Sequence, residues 1–295
     1  MSVYSAALER VVAKGARHIE LIYTSHSTWP LIPASLKSQD VGDDDNVIPL
    51  SVLDSSFNPP TNAHLALARL SHPGSQTISS VAQGPFAAKL LLYSMKNADK
   101  TPKVGDATPS QRLEMMILLA KELQRLGATD SDIGSRNIAV ALCQEPTFVG
   151  KSAALKHFFQ ERVASLGSKK EVQLTFLLGY DTLERLFAPR YYGTEETMKE
   201  ALRGLLTASG DGSRVLCARR SAGASYSQAE NDILEKAAEY IESGAVAVTD
   251  IGEMDRALSS SEVRQEIQED SSNWETKVPA PVAAYIREHH LYHAE

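Results

Sequence analysis

From Val47 onward, short apolar runs alternate with longer stretches in which apolar residues recur every three or four positions. This alternation predicts strands and helices in turn. Strands are expected at 47–53, 89–93, 138–142, 172–178, 214–218 and 245–249, and helices at 62–70, 110–126, 151–166, 181–187 and 228–243. The clearest helix carries Leu113, Met116, Ile117, Ala120 and Leu123 on one face, from Ser110 to a stop expected at Gly127. Another carries Ile233, Leu234, Ala237, Ala238 and Ile241, with Gly244 behind it. Such alternation predicts an α/β domain with a Rossmann-like parallel sheet and helices on both faces. Ser71 to Pro85 and Arg219 to Ser227, rich in Ser, Gly and small residues, are expected to be loops.

Residues 1–45 stand apart as an N-terminal extension of unassigned role. They predict a helix from Val3 to Ala13 and a strand from His18 to Tyr23, followed by Pro and Ser turns and the acidic run Asp43-Asp44-Asp45. Ile19 to Tyr23 is suited to an edge strand of the main sheet. No linker divides residues 46–295, which are expected to form one catalytic-type domain. At its end, Val278 to Arg287 predicts an amphipathic helix begun by prolines. His289, His290 and His293 lie at the chain end and are not read as metal ligands.

Composition narrows the field. A chain of 295 residues with 43% hydrophobic content can bury a proper core. With 30 Lys and Arg against 37 Asp and Glu, the net charge of −7 argues against broad binding to nucleic acid or acidic membrane. Small anionic substrates need only a few local donors and remain compatible with it. Cys143 and Cys217 lack the spacing of a zinc site or disulfide framework. No signal-like segment or run of 18 apolar residues is present, so a cytoplasmic protein is expected, with a nuclear location also open.

The chemistry-bearing residues cluster at strand ends. The first group is Asp54-Ser55-Ser56-Phe57-Asn58-Pro59-Pro60-Thr61-Asn62-Ala63-His64, a strand end, a short polar turn and a helix start. Thr61 or Asn62 is a candidate N-cap. Free N–H groups, the positive helix end and His64 suit the turn to phosphate. The second group is Gly179-Tyr180-Asp181, in which the glycine admits close approach and Asp181 can accept from ribose hydroxyls or cap the next helix. The third is Leu258-Ser259-Ser260-Ser261-Glu262-Val263-Arg264. Ser259 and Glu262 have capping-box spacing, but Arg264 lies outside that explanation and offers a fork to phosphate. Gly150-Lys151-Ser152 imitates a P-loop but has Glu145 where the spacing requires glycine, so a Walker A site is set aside.

Taken in order, these strings resemble the nucleotidylyltransferase superfamily, in particular the nicotinamide and nicotinic acid mononucleotide adenylyltransferases. Its Gly-Ser-Phe-Asn-Pro opening and His-or-Thr-x-x-His pair match Ser55 to Pro59 and Thr61 with His64, except that Ser55 replaces glycine. Its Ile-Ser-Ser-Thr-x-x-Arg string matches Leu258 to Arg264. Gln144-Glu145 stands where the family has a tryptophan-glutamate pair.

The resemblance implies the nucleotidylyltransferase fold and adenylyl transfer from ATP to nicotinamide or nicotinate mononucleotide, with Mg²⁺ carried by the triphosphate and no dedicated metal cage. His64, Arg264 and Thr61 are the implied catalytic residues. Ser55, Ser56, Phe57, Gly179, Asp181, Ser259, Ser260 and Ser261 are implied to bind nucleotide. Asn58, Glu145 and Phe148 are implied on the acceptor side. A cytidylyltransferase, a transferase using another phosphorylated acceptor such as pantetheine phosphate, and a nucleotide-binding regulatory protein with little turnover are the alternatives.

Overall fold

The computed structural model describes residues 4–15, 17–36, 46–71, 85–96, 105–130, 132–219, 228–249, 251 and 258–293. The acidic run at 43–45 and nearly all of the two loops expected at 71–85 and 219–227 lie outside these residues. In chain order the helices and strands are α1 (Ser5–Lys14), β1 (Glu20–Thr24), β2 (Val47–Asp54), α2 (Asn62–Arg69), β3 (Ala88–Ser94), α3 (Pro109–Asp130), α4 (Ile133–Arg136) and β4 (Ile138–Cys143). There follow α5 (Phe148–Ser165), β5 (Glu171–Gly179), α6 (Tyr180–Leu186), α7 (Glu195–Leu206), β6 (Arg214–Ala218), α8 (Gln228–Lys236), α9 (Ala238–Glu242), β7 (Val246–Thr249), α10 (Ser260–Gln268) and α11 (Ala280–Glu288).

The seven strands form one sheet in the order β1-β4-β3-β2-β5-β6-β7. All neighbours run parallel except β1, which lies antiparallel on β4. The chain therefore winds outward from β2 to β3 and β4, returns to β5 on the other side of β2, and winds outward again. In such a sheet the connections at the carboxyl ends of the two central strands diverge and open a crevice. Leu53 pairs with Leu177, so the ends of β2 and β5, Asp54 and Gly179, lie together at that crevice.

Strand alternation divides the core between the two faces. Leu50, Val52, Leu90, Leu92 and Phe176 pack with Leu155 and Phe159 of α5 and Leu202 and Leu205 of α7. Leu53, Leu91, Tyr93 and Leu177 point the other way, against Leu67 of α2 and Leu113, Met116, Leu119 and Leu123 of α3. Met115 faces a third cluster, with Val263 and Ile267 of α10 and Val282 and Ile286 of α11. The C-terminal helices are thereby fastened to the back of α3.

The N-terminal residues are woven into this architecture. β1 supplies the expected edge strand, and Trp29, fully buried, packs on Phe159 of α5 at 5.5 Å between ring centroids. Arg162 donates to the carbonyls of Trp29 and Ser27. Several boundaries differ from expectation. α3 runs through Gly127, because its missing side chain makes room for Ser135, whose Cβ would lie 2.6 Å from an added Cβ. α7 has no counterpart in the predicted elements, although Thr194 caps it and Met198, Leu202, Leu205 and Leu206 form its buried face. The helix expected over 228–243 breaks at Ala237 into α8 and α9. Among the described residues no helix is long and apolar enough to cross a membrane.

One buried charge joins the helix that begins the first motif to the sheet. Lys89, in the middle of β3, directs its ammonium at the Ala68 carbonyl (2.8 Å), Asp132 Oδ2 (2.8 Å) and Ser135 Oγ (2.9 Å). All three N–H donors are thus engaged. Burial pushes the Lys89 pKa down, and Asp132 offsets part of that. Burial also disfavours the Asp132 carboxylate, but the charge of Lys89 and the hydrogen bonds from Lys89 and Ser135 outweigh it and hold its pKa below the ordinary 3.8. Lys89→Met leaves a desolvated carboxylate behind and should cost about 3 kcal/mol in urea unfolding at neutral pH; an unchanged midpoint would contradict this role. The contribution of Asp132 is complete above its unfolded pKa and is lost as pH falls through the lower folded value. Asp132→Asn should therefore flatten the acid limb of stability below about pH 4.

Candidate active site

The first motif leaves β2 at Asp54 and enters α2 through a turn whose conformation is held from several sides. Its Asn58–Pro59 peptide is cis, and Phe57 has φ +45, a left-handed conformation unusual for an aromatic residue. Such a conformation costs of order 1–3 kcal/mol and persists where surrounding structure enforces it. Here Phe57 is fully buried, with its ring 5.2 Å from that of His64. Side chains from distant segments take up the turn's carbonyls. Arg112 Nη1 donates to Ser56 O, Arg264 Nη1 to Asn58 O at 2.6 Å, and Ser260 Oγ to Pro59 O at 2.8 Å.

Asn58 is the hub beneath this turn. Its Nδ2 donates to Asp106 at 2.6 Å, and its Oδ1 accepts from the Ala107 amide and the Tyr292 hydroxyl. Asn58, expected on the acceptor side, is 4% exposed, and its side chain is engaged by these partners. Tyr292, from the Leu291-Tyr292 pair that resembles the family's terminal pattern, reaches the turn through this bond to Asn58.

Above the hub, His64 is fixed from both nitrogens. Its Nδ1 accepts the Thr61 amide at 3.0 Å, with Thr61 Oγ1 at 2.9 Å. A ring nitrogen that accepts from an amide carries no proton, so the neutral imidazole has its hydrogen on Nε2. That atom lies 2.9 Å from Ser55 Oγ. Thr61, fully buried, is the N-cap residue of α2 and the orienting partner of His64.

The other motifs meet the first across the crevice. Ser55, Ser56, His64, Gly179, Asp181, Ser259, Ser260 and Ser261 line one cleft of 320 Å³, together with Arg219 and Ile251. This volume lies in the range of small-molecule sites. Gly179 is the N-cap residue of α6, so Asp181 falls within its first turn, on the cleft wall. A Cβ at Gly179 would meet nothing within 4 Å, so internal packing does not require glycine there. Ser259 caps α10 by accepting from the Glu262 amide, but the Glu262 carboxylate reaches Lys277 instead of closing the expected capping box. Arg264 faces Asn58 O, Ser260 O and Ser261 Oγ, with Nε 3.7 Å from Asp106, and stands behind the serines.

A second cleft of 180 Å³ shares Asp54, Ser55, Ser56 and Thr182 with the first. Its remaining walls include Phe148, Lys151, Arg185, Tyr191 and Tyr192. Phe148 stands edge-on to Phe176 at 5.6 Å, so it belongs both to the core and to this wall. Glu145 folds over the start of α5, where its Oε1 accepts from the Thr147 hydroxyl at 3.0 Å. Gly150 permits this, since a Cβ there would lie 2.2 Å from the Glu145 carboxylate. Tyr180 and Tyr192 are each pushed up to about 12, chiefly by burial, and remain neutral hydroxyl donors at physiological pH. Burial likewise raises Cys143 to about 11 and Cys217 to about 12, which makes them inert core thiols.

No protein-family model matches the chain. A 188-residue segment, 64% of this chain, is 31% identical to a Schizosaccharomyces pombe protein named "Putative nicotinamide mononucleotide adenylyltransferase" and spans 60% of that protein's length. The fold is similar to that of Plasmodium falciparum nicotinic acid mononucleotide adenylyltransferase complexed with APC, with a TM-score of 0.50 and 15% identity over 83% of this chain and 96% of that one. The complex of the same enzyme with NaAD gives a TM-score of 0.50 and 16% identity, covering 83% of this chain and 97% of that one.

The hydrogen bonds of His64 predict its tautomer. In ¹⁵N-resolved NMR above the imidazole pKa, His64 should show a protonated Nε2 and a bare Nδ1, and Ser55→Gly should leave that tautomer in place because Thr61 alone selects it. A protonated Nδ1 would contradict the assignment.

Proposed function

We propose that this chain, which has the nucleotidylyltransferase fold and resembles the nicotinamide mononucleotide adenylyltransferases in sequence, transfers the adenylyl group of ATP to nicotinamide or nicotinate mononucleotide. One observation carries the reading: three separate motifs, two at the ends of β2 and β5 and one at the start of α10, converge on a single cleft at the switch point of the sheet, and a second cleft shares its lip. ATP is assigned to the first cleft and the mononucleotide to the second. A phosphate oxygen of the acceptor attacks the α-phosphorus in line, the bond from that phosphorus to the α,β-bridging oxygen breaks, and pyrophosphate leaves with the bonding pair. With a second pKa of about 6, a phosphate monoester is already largely ionised at neutral pH, so no general base is needed. Alignment and charge stabilisation carry the reaction.

In this reading His64 donates from Nε2 to the α and β phosphates, and Thr61 keeps the ring aimed. Ser259 to Ser261 and Arg264 receive the leaving pyrophosphate, while Ser55 and Ser56 contribute the wall of the turn and the buried Phe57 supports it from beneath. Gly179 and Asp181 take the nucleoside, and Phe148 offers an aromatic face to the acceptor base. The triphosphate arrives as its Mg²⁺ complex, in which the ion screens phosphate charge and draws its ligands from phosphate and water. Among the described residues no group of three or more His, Cys, Asp or Glu side chains could hold a metal by itself.

One contact favours a second reading, a nucleotide-binding regulatory protein. Ser55, where the related family has glycine, occupies the nitrogen that a phosphate would need. Pyrophosphate release from ATP or CTP with a panel of phosphorylated acceptors separates the readings. The transferase reading expects release with ATP and a pyridine mononucleotide, and ATP binding without release for any acceptor would favour regulation. His64→Ala and Arg264→Ala should each lower turnover by roughly 100- to 1000-fold. If both variants kept the wild-type rate, the mechanism would be wrong. Gly179→Ala should leave the melting temperature unchanged, since φ −79 and ψ 161 suit any residue. It should weaken binding of a non-hydrolysable ATP analogue by about tenfold; unaltered binding would remove the nucleoside from this strand end.

A further inference from the structure

Among the described residues two lysines are buried, and their hydrogen bonding differs. Lys89 is 2% exposed and gives its three N–H donors to three acceptors. Lys151 is 4% exposed, and Asp54 Oδ2, at 2.6 Å, is its one hydrogen-bond acceptor among the described residues. An ammonium has three donors, and desolvating the remainder is costly unless something accepts from them. The Lys151 nitrogen also sits 5.1 Å above the Phe148 ring. Both residues belong to the wall of the second cleft, where Arg185 adds another cation.

Asp54 lines both clefts, at the lip where acceptor and triphosphate would meet. An uncompensated carboxylate there would repel both anions. Lys151 cancels that charge and presents its other donors on the acceptor side. We infer that Lys151 binds the phosphate of the acceptor, held in place by Asp54, and so sets the requirement for a phosphorylated rather than a dephosphorylated substrate. The inference rests on the adenylyl-transfer reading for the identity of that substrate, but the chemistry it names, a phosphate monoester beside a buried ammonium, can be probed separately. It also gives a function to Gly150-Lys151-Ser152. That string fails as a P-loop on its glycine spacing, yet its lysine lines the second cleft.

The test measures binding of nicotinamide mononucleotide, nicotinamide riboside and ribose 5-phosphate to the full chain, with a non-hydrolysable ATP analogue as a separate titration. Wild type should prefer the mononucleotide to the riboside. Lys151→Met should reduce that preference by at least about tenfold while leaving riboside affinity unchanged, with the ATP analogue weakened only by the uncovered Asp54 charge and recovered in Asp54→Asn with Lys151→Met, and Lys151→Arg should restore part of the preference. The double variant Asp54→Asn with Lys151→Met removes both buried charges. It should melt close to wild type and share the loss of preference, which separates phosphate binding from a folding defect. An equal loss for mononucleotide and riboside, or an undiminished preference in a folded Lys151→Met protein, would overturn the inference. If the mononucleotide fails to bind but ribose 5-phosphate binds in a Lys151-dependent way, the inference stands and the acceptor assignment falls. No binding of either phosphate ester by wild type overturns it.

Discussion

Asn58 ties together the parts of the chain on which the cleft depends. Its side chain joins the turn after β2 to Asp106 and Ala107 ahead of α3 and to Tyr292 near the C-terminus, while its carbonyl accepts from Arg264 in α10. A buried asparagine engaged by three other segments is hard to move, because any displacement leaves polar groups unsatisfied. The left-handed Phe57 and the orientation of His64 follow from that anchoring. Local preferences would not produce this turn alone, since a left-handed aromatic residue is costly. The third hydrophobic cluster, which holds α10 and α11 against α3, delivers Arg264 and Tyr292 to their positions.

Charge is distributed around the clefts with the same economy. The chain is acidic overall, yet its cleft walls carry cations, Arg219 in the first and Lys151 and Arg185 in the second. Asp181 is a carboxylate of the first cleft alone, whereas Asp54 lines both, and its pairing with Lys151 offsets its charge at the shared lip. Net charge therefore bears on polyanions, whereas the local balance in the walls bears on small ones.

Much of the fold was legible along the chain. Six parallel strands appear within one or two residues of the apolar runs that predict them, because a strand covered on both faces must be apolar almost throughout. α7 was missed although Thr194 caps it and Met198, Leu202, Leu205 and Leu206 have helical spacing, a signal overlooked in a short segment rich in charge. Gly127 misled for a related reason: a glycine reads locally as a stop, while here it admits Ser135 from a neighbouring turn. The three motifs were visible because each is contiguous. The contacts of Asp106 and Tyr292 were not, since only tertiary structure brings residues 48 and 234 positions away to Asn58. Arg185, Tyr191 and Tyr192 likewise have no local signature and reach the second cleft through the path of the chain after α6.

The central claim is spatial: one crevice at the meeting of β2 and β5 holds the nucleotide, with the acceptor across its lip. A crystal structure of the chain with a non-hydrolysable ATP analogue and Mg²⁺ tests it most directly. The account predicts phosphates between His64 and Ser259 to Ser261, the ribose beside Gly179 and Asp181, and the α-phosphorus turned toward Asp54 and the second cleft. A nucleotide bound elsewhere, or one in the crevice with its α-phosphorus turned away from the second cleft, would contradict it.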